Sequence, residues 1–260
     1  LNSTTHPDVS FETKGDIAVV TLCRPAKRNA LSDPIIAALR TIFETLPENI
    51  KAAVIAGEGE HFCAGLDLSE LSERDAGQGM RHSRMWHAAL EHIQFGSVPV
   101  VAALHGAVVG GGLELAAACH IRVADETTFF ALPEGSRGIF VGGGGSVRIP
   151  KLIGAARMAD MMLTGRVYDA AAGERVGLAQ YLVPPGKSLD HAVALAEKIA
   201  GNAPLTNYAL VHVLPRISEQ PADHGYLTES LISGITQSAP EAKERVRAFL
   251  QGRAEKVQRG

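Results

Sequence analysis

Between Val98 and Cys119 the chain reads VPVVAALHGAVVGGGLELAAAC, an almost wholly apolar run that holds three consecutive glycines and one carboxylate, Glu114. Its length would suit a membrane span. Yet Pro99, four glycines, His105 and Glu114 interrupt it. A charge near the centre of a spanning helix costs about 2.5–3.5 kcal/mol on insertion scales. The run therefore reads as a buried strand, Pro99–Leu104, a turn, and the start of a buried helix, Gly110–Ala118. Such a helix start leaves backbone N–H groups without partners, and the helix dipole adds partial positive charge there. The glycines let a ligand approach that backbone closely. An oxygen gaining negative charge is the species this arrangement favours. Tight helix–strand packing without a ligand is the competing explanation of the glycines.

Glu114 sharpens the reading. Leu113, Leu115 and Ala116–Ala118 predict apolar surroundings, and a glutamate is almost never fully buried without a partner. Desolvation raises a carboxyl pKa and suits it to moving protons. A structural ion pair would explain the same position. Glu134, in FFALPEGSRG, is a second carboxylate between a proline and a glycine. Alone it fits a helix N-terminal acid. Together, two such carboxylates can hold one water, one as base and the other as acid.

Around these residues the pattern alternates strand and helix. Val9–Thr13 and Ile17–Cys23 predict a hairpin across Lys14-Gly15-Asp16. Ser32 or Asp33 caps a helix with Pro34 in its first turn, followed by Ile35, Ile36, Leu39, Ile42, Phe43 and Leu46 at helical spacing. Ala52–Ala56 is a short buried strand. GEGEHFCAGLDLSEL is a glycine-punctuated loop running into a short helix. Gly77–Phe95 is a helix, and Ile121–Ala124 and Thr128–Phe130 are strands. Beyond them the pattern is helical: Gly143–Ile149, Ala155–Leu163, Ala170–Arg175, Leu189–Ala200, Leu205–Ile217, Gly225–Gln237 and Pro240–Gln251. Asn202-Ala203-Pro204 marks a break, so the expected division is residues 1–200 and 201–260.

Composition excludes several classes. With 25 Lys and Arg against 28 Asp and Glu, the net charge of −3 offers no basic surface for nucleic acid. Cys23, Cys63 and Cys119 fit neither a disulfide framework nor zinc spacing, which implies a reducing, cytoplasmic setting and no metal. The polar start LNSTTHPDVSFETKGD has no signal-peptide core. His82, His87 and His92 are five apart, rotating each about 140° from the last, so they form no ligand face and read as a solvated helix side. His61 beside Cys63 suggests a thiol–imidazole nucleophile, but nothing in the sequence orients the base. VGGGGS at 141–146 lacks the P-loop lysine and reads as backbone approaching a site or as a helix start.

The segments RPAKRNALS, HFCAGLDL, VPVVAALHGAVVGGGLELAAAC, FALPE and GGGGSVRIPKLIG stand in the order seen in the enoyl-CoA hydratase/isomerase (crotonase) superfamily, which the chain resembles over most of residues 15–200. The resemblance implies an α/β fold, a crotonase-like spiral of ββα turns with a C-terminal helical oligomerisation region in residues 201–260, assembled as a homotrimer or a hexamer. It implies an acyl-CoA substrate, with no separate cofactor because coenzyme A is part of that substrate, and no nucleic-acid or membrane partner. It places the oxyanion hole at the N–H groups of Leu66 and Gly111. It assigns coenzyme A contacts to Lys27, Arg28, Ala30, Ala64, Gly65, Asp67 and Leu68. Hydratases of the superfamily use two glutamates, matched here by Glu114 and Glu134, which implies water addition across a 2,3-double bond; Glu134 then protonates C2 and Glu114 holds the water. Double-bond isomerase, thioester hydrolase and non-catalytic binding module are the alternatives on the same scaffold. Gly135-Ser136-Arg137 replaces the aliphatic run usual after the second glutamate. The stretch FALPEGSRGIFVGGGGSVR resembles members acting on short, functionalised enoyl-CoAs such as methylthioacryloyl-CoA.

Overall fold

The apolar runs become strands of two sheets. β1 (Val9–Lys14) and β2 (Ile17–Leu22) pair antiparallel across Gly15, whose φ of 61° suits the turn. β3 (Ala52–Gly57), β4 (Val100–Leu104), β6 (Ile121–Asp125) and β9 (Tyr181–Val183) then add in parallel, giving the order β1-β2-β3-β4-β6-β9. β5 (Ala107–Val109), β7 (Phe129–Ala131) and β8 (Tyr168–Asp169) form the second sheet. The computed structural model describes residues 6–67, 69 and 74–253.

The central strands are apolar on both faces because both faces are covered. Ala18, Val20, Leu22, Ile55, Ala102 and Leu104 point into the larger core, shared with Val108 and Phe130 of the second sheet. Their neighbours Ile17, Val19, Val54, Val101 and Val123 face a second core. There the helix α7 (Ser188–Ala200) lays Ala192, Ala196 and Ala200 against the sheet, small residues at a spacing of four that share one helix face.

The topology is a repeated step. β4 leads into β5 of the second sheet, α3 (Gly111–Ala118) returns the chain to β6, and β7 steps out again. Isolated parallel bridges, Leu31 to Leu66 and Cys63 to Val108, carry the second sheet back toward earlier turns of the spiral. Between them the loop Ala64–Asp67 is held by backbone bonds: Leu31 N–H donates to Gly65, Asp67 N–H to Leu31, and Ala64 N–H to Arg28.

Two helices frame the site. α1 (Asp33–Glu44) starts at Ser32, whose hydroxyl accepts from the Ile35 N–H, and α2 (Ala76–Gln94) starts with a reciprocal capping box between Asp75 and Gln78. α4 (Gly145–Ile153), α5 (Ala155–Thr164) and α6 (Ala170–Val176) follow β7. The expectation of purely helical chain beyond residue 130 is corrected by β8 and β9. At two and three residues they are too short to show a two-residue hydrophobic period.

The chain divides at Ala200/Gly201 into two compact units. The second contains α8 (Pro204–His212), α9 (Leu214–Ile217), α10 (Ala222–Ser238) and α11 (Pro240–Leu250). The single helix expected over Leu205–Ile217 is broken at Val213, since Pro215 has no N–H to continue the ladder. The short helix expected at the end of GEGEHFCAGLDLSEL lies outside the described residues.

Candidate active site

Gly110 opens α3 with φ 53° and ψ −122°, a conformation that only glycine adopts readily. Its own carbonyl accepts from the N–H groups of Leu113 and Glu114, while its N–H donates to Ala131 of β7. The next amide, that of Gly111, has no hydrogen-bond partner among the described residues, and neither has that of Leu66. They converge: a Cβ built on Gly111 would stand 3.5 Å from the Leu66 nitrogen. Leu31, through its isolated bridge, satisfies the residues on either side of Leu66 and leaves the Leu66 N–H facing α3. Gly112 is compelled by packing, since a Cβ there would collide with the Cys63 carbonyl oxygen.

Glu114 lies one turn into α3 and is 3% exposed. Its Oε1 accepts from the N–H of Gly143 at 2.8 Å and of Gly145 at 2.7 Å. Burial pushes its carboxyl up to about 7; the two amides pull in the opposite direction, and Glu134 adds to the rise. Glycines are needed at the clamp, because a Cβ on Gly145 would sit 2.8 Å from Glu114 Oε1. Arg148, itself buried, fixes the clamp by donating to the Gly143 carbonyl and to Gln94 Oε1. Glu134 is also buried, and its Oε2 has no hydrogen-bond partner among the described residues. Burial raises its pKa, partly offset by its backbone and by Arg137.

These groups share one cavity of about 520 Å³, of the size that small-molecule sites occupy. Glu114, Glu134, Leu66, Gly111, Ala64 and Gly65 all line it. Trp86, Met80, Ile139 and Phe140 supply apolar walls, and Arg74, Arg84 and Arg137 supply charge. Two buried carboxylates and two unpartnered amides in one apolar cavity can polarise a carbonyl and pass protons beside it.

The other residues singled out from the sequence stand elsewhere. Lys27, Arg28, Ala30 and Asp67 are not part of the cavity wall. Asp67 is buried and joins Arg24 Nη1 at 2.7 Å to Lys27 Nζ at 3.3 Å, with Ser69 donating to its other oxygen. The Ser69 bonds are the main cause of a strongly lowered Asp67 pKa. Arg28 takes a left-handed conformation, φ 51°, and its carbonyl holds the Ala64 amide; Ala30 is buried. Leu68 lies outside the described residues.

The thiol–imidazole pair, already disfavoured by the sequence, gains no support: burial pushes the Cys63 thiol up to about 12 and His61 Nδ1 accepts from Ala107 N–H. One reading is corrected. The helix side bearing His82 is not simply solvated. His82 Nε2 pairs with Asp33 Oδ1 at 2.7 Å, and Trp86 Nε1 donates to the same oxygen at 3.3 Å. Sequence reasoning does not single out the Gly143–Gly145 clamp, Arg148 or Ser83, although the VGGGGS run signals a close backbone approach.

A sequence profile described as enoyl-CoA hydratase/isomerase matches residues 12–258. The chain belongs to that family, and with it to the enzymes of enoyl-CoA hydratase type. Among solved structures, it matches one from Rhodopseudomonas palustris CGA009, provisionally described as an enoyl-CoA hydratase, with TM-score 0.93 and 55% identity over 97% of this chain and 98% of that one. Among curated relatives, it is 30% identical to the enoyl-CoA hydratase EchA19 of Mycobacterium tuberculosis over 97% of each chain. It is 33% identical to the (E)-benzylidenesuccinyl-CoA hydratase of Thauera aromatica, over 95% of this chain and 97% of the relative.

Proposed function

We propose that this chain adds water across the 2,3-double bond of an acyl-CoA thioester, with Glu114 and Glu134 as the catalytic pair and the N–H groups of Leu66 and Gly111 as the oxyanion hole. The observation that carries this reading is the meeting, in one cavity, of two buried carboxylates with two backbone amides that nothing else in the described chain engages. The thioester oxygen sits between the amides and gains negative charge as the enolate forms. One such donor is worth about 2.7–4 kcal/mol in the transition state.

Glu114 holds water through its free oxygen while its other oxygen stays on the glycine clamp. The water gives hydroxide to C3 and a proton to Glu114, and Glu134 gives a proton to C2. Return of a proton from Glu114 to Glu134 restores the starting state. The buried oxygen of Glu134, which has no hydrogen bond among the described residues, favours the neutral acid that this role requires. Lys27, Arg28, Ala30 and the Ala64–Leu68 loop are proposed to hold the coenzyme A portion. The substrate is short or functionalised, and methylthioacryloyl-CoA is one example of that class.

The second unit is proposed to mediate trimer or hexamer formation. Leu227, Leu231 and Ile235 of α10 are spaced by four and more than half exposed. Three free cysteines support a reducing, cytoplasmic setting. Among the described residues, no helix is long and apolar enough to cross a membrane.

Incubation with crotonyl-CoA tests the activity. Loss of enoyl absorbance with coenzyme A retained is the expected result. Release of free thiol would mean hydrolysis, and a shifted double bond would mean isomerisation; either overturns the reading.

A further inference from the structure

The cavity carries charge that takes no direct part in the proton transfers of water addition. Arg84 comes from α2 and Arg137 from the single turn of 3-10 helix at Gly135–Arg137, yet both line the space that Glu114 and Glu134 border. Both residues are exposed to solvent, and neither guanidinium has a hydrogen bond or an ion-pair partner among the described residues. The third arginine of the cavity, Arg74, already lies 4.0 Å from Asp33. Neither Arg84 nor Arg137 belongs to the loop that presents Leu66; they come from α2 and from the turn after Glu134.

Two unpaired guanidiniums from separate elements, beside apolar walls built by Trp86, Met80 and Phe140, match a ligand that is apolar along its length and anionic at its tip. A guanidinium is planar and forked, and a carboxylate is the partner its donors fit in pairs. The positive charge also answers an electrostatic problem: an anionic acyl group would otherwise enter a cavity already holding two carboxyl groups.

We propose that Arg84 and Arg137 receive a carboxylate on the acyl group, so that the substrate class is a 2-enoyl-CoA whose chain ends in an acid. This rests on the hydratase reading and, within the short or functionalised enoyl-CoAs, favours the acids over uncharged members such as methylthioacryloyl-CoA. Arg137 also acts on Glu134, drawing its carboxyl below the value burial alone would set. The test must therefore separate substrate recognition from acid–base tuning and from a grip on coenzyme A phosphates.

The experiment compares 5-carboxy-2-pentenoyl-CoA with 2-hexenoyl-CoA, which share chain length and coenzyme A and differ only at the tip. The ratio of their kcat/KM values is the readout, because a change in Glu134 or in coenzyme A binding affects both substrates alike. The wild-type enzyme is expected to favour the carboxylate substrate by about tenfold or more, a size suited to exposed charge-assisted bonds. R84M and R137M are each expected to lower that ratio by about fivefold or more, and salt at about 0.5 M to lower it in the wild type. A wild-type ratio near one, with crotonyl-CoA still hydrated, overturns this proposal and leaves the hydratase reading intact. An unchanged ratio in both variants also overturns it. Failure to hydrate any enoyl-CoA overturns the hydratase reading, and this proposal with it.

Discussion

The carboxylate of Glu114 and the hydroxyl of Ser83 hold opposite ends of one peptide unit. Ser83 Oγ donates to the Gly142 carbonyl at 2.7 Å, and the N–H of that same peptide, on Gly143, donates to Glu114 Oε1 at 2.8 Å. Ser83 sits on α2 and Glu114 on α3, so the glycine run between them transmits the orientation of one helix to the acid of the other. Polarisation runs the same way, since a bond to the carbonyl strengthens the N–H as a donor.

Ser83 is therefore expected to be a positioning residue. S83A weakens the Gly143 bond, which favours ionised Glu114, and so raises the Glu114 pKa above about 7. With Glu114 as the base, the acid limb of the pH profile of kcat/KM moves to higher pH. The measurement is that profile on crotonyl-CoA. A uniform drop in rate with an unmoved limb would reduce Ser83 to packing.

Removing either carboxylate tests the pair directly. E114Q and E134Q keep the volume of each side chain and remove the proton chemistry, and each is expected to lower kcat at least ~100-fold. Binding of a saturated acyl-CoA, followed by calorimetry, should change little. Near-normal turnover in either variant refutes the two-carboxylate scheme.

Gly110 links backbone conformation to Glu134. A Cβ at this position would stand 2.7 Å from Glu134 Oε1, in a backbone conformation already strained for alanine. G110A is expected to lose about 1–3 kcal/mol of stability and also most of its turnover. G165A is the control. Gly165 ends α5 with φ 73° and open space around it, so that variant loses stability while keeping its rate. Equal activity losses in both variants would separate Gly110 from the proposed catalytic acid.

Much of this arrangement is legible in the order of residues alone. The helical spacing of Ile35, Ile36, Leu39 and Phe43 specifies α1, and continuous apolar runs specify β3 and β4, because local pattern and burial agree there. The glycines before Glu114 flag a special backbone for the right physical reason. What stays hidden depends on contacts distant in sequence. The amides that hold Glu114 lie 29 and 31 residues away, and Ser83 meets Gly142 across 59. His82 looks solvated because nothing local shows that Asp33 is its neighbour. Spacing can exclude a metal face on α2 without revealing that this helix walls the cavity.

The same burial that suits Glu114 to proton transfer carries a stability cost with a definite pH window. Its folded pKa, about 7, lies above the ordinary glutamate value of 4.5. A raised carboxyl pKa means that the native state holds the proton more tightly than the unfolded chain does. The favourable contribution is therefore complete below about pH 4.5 and is lost as pH rises through about 7. The shift corresponds to something on the order of 3 kcal/mol. E114Q is neutral at every pH, and its side-chain carbonyl can still accept from Gly143 and Gly145. The variant should consequently be more stable than the wild type at pH 8, with the advantage shrinking as pH falls toward 5. Urea denaturation of both proteins at these two values measures it. A variant less stable than the wild type at pH 8 would show that ionised Glu114 is held favourably, and its assignment as a strained base would fall.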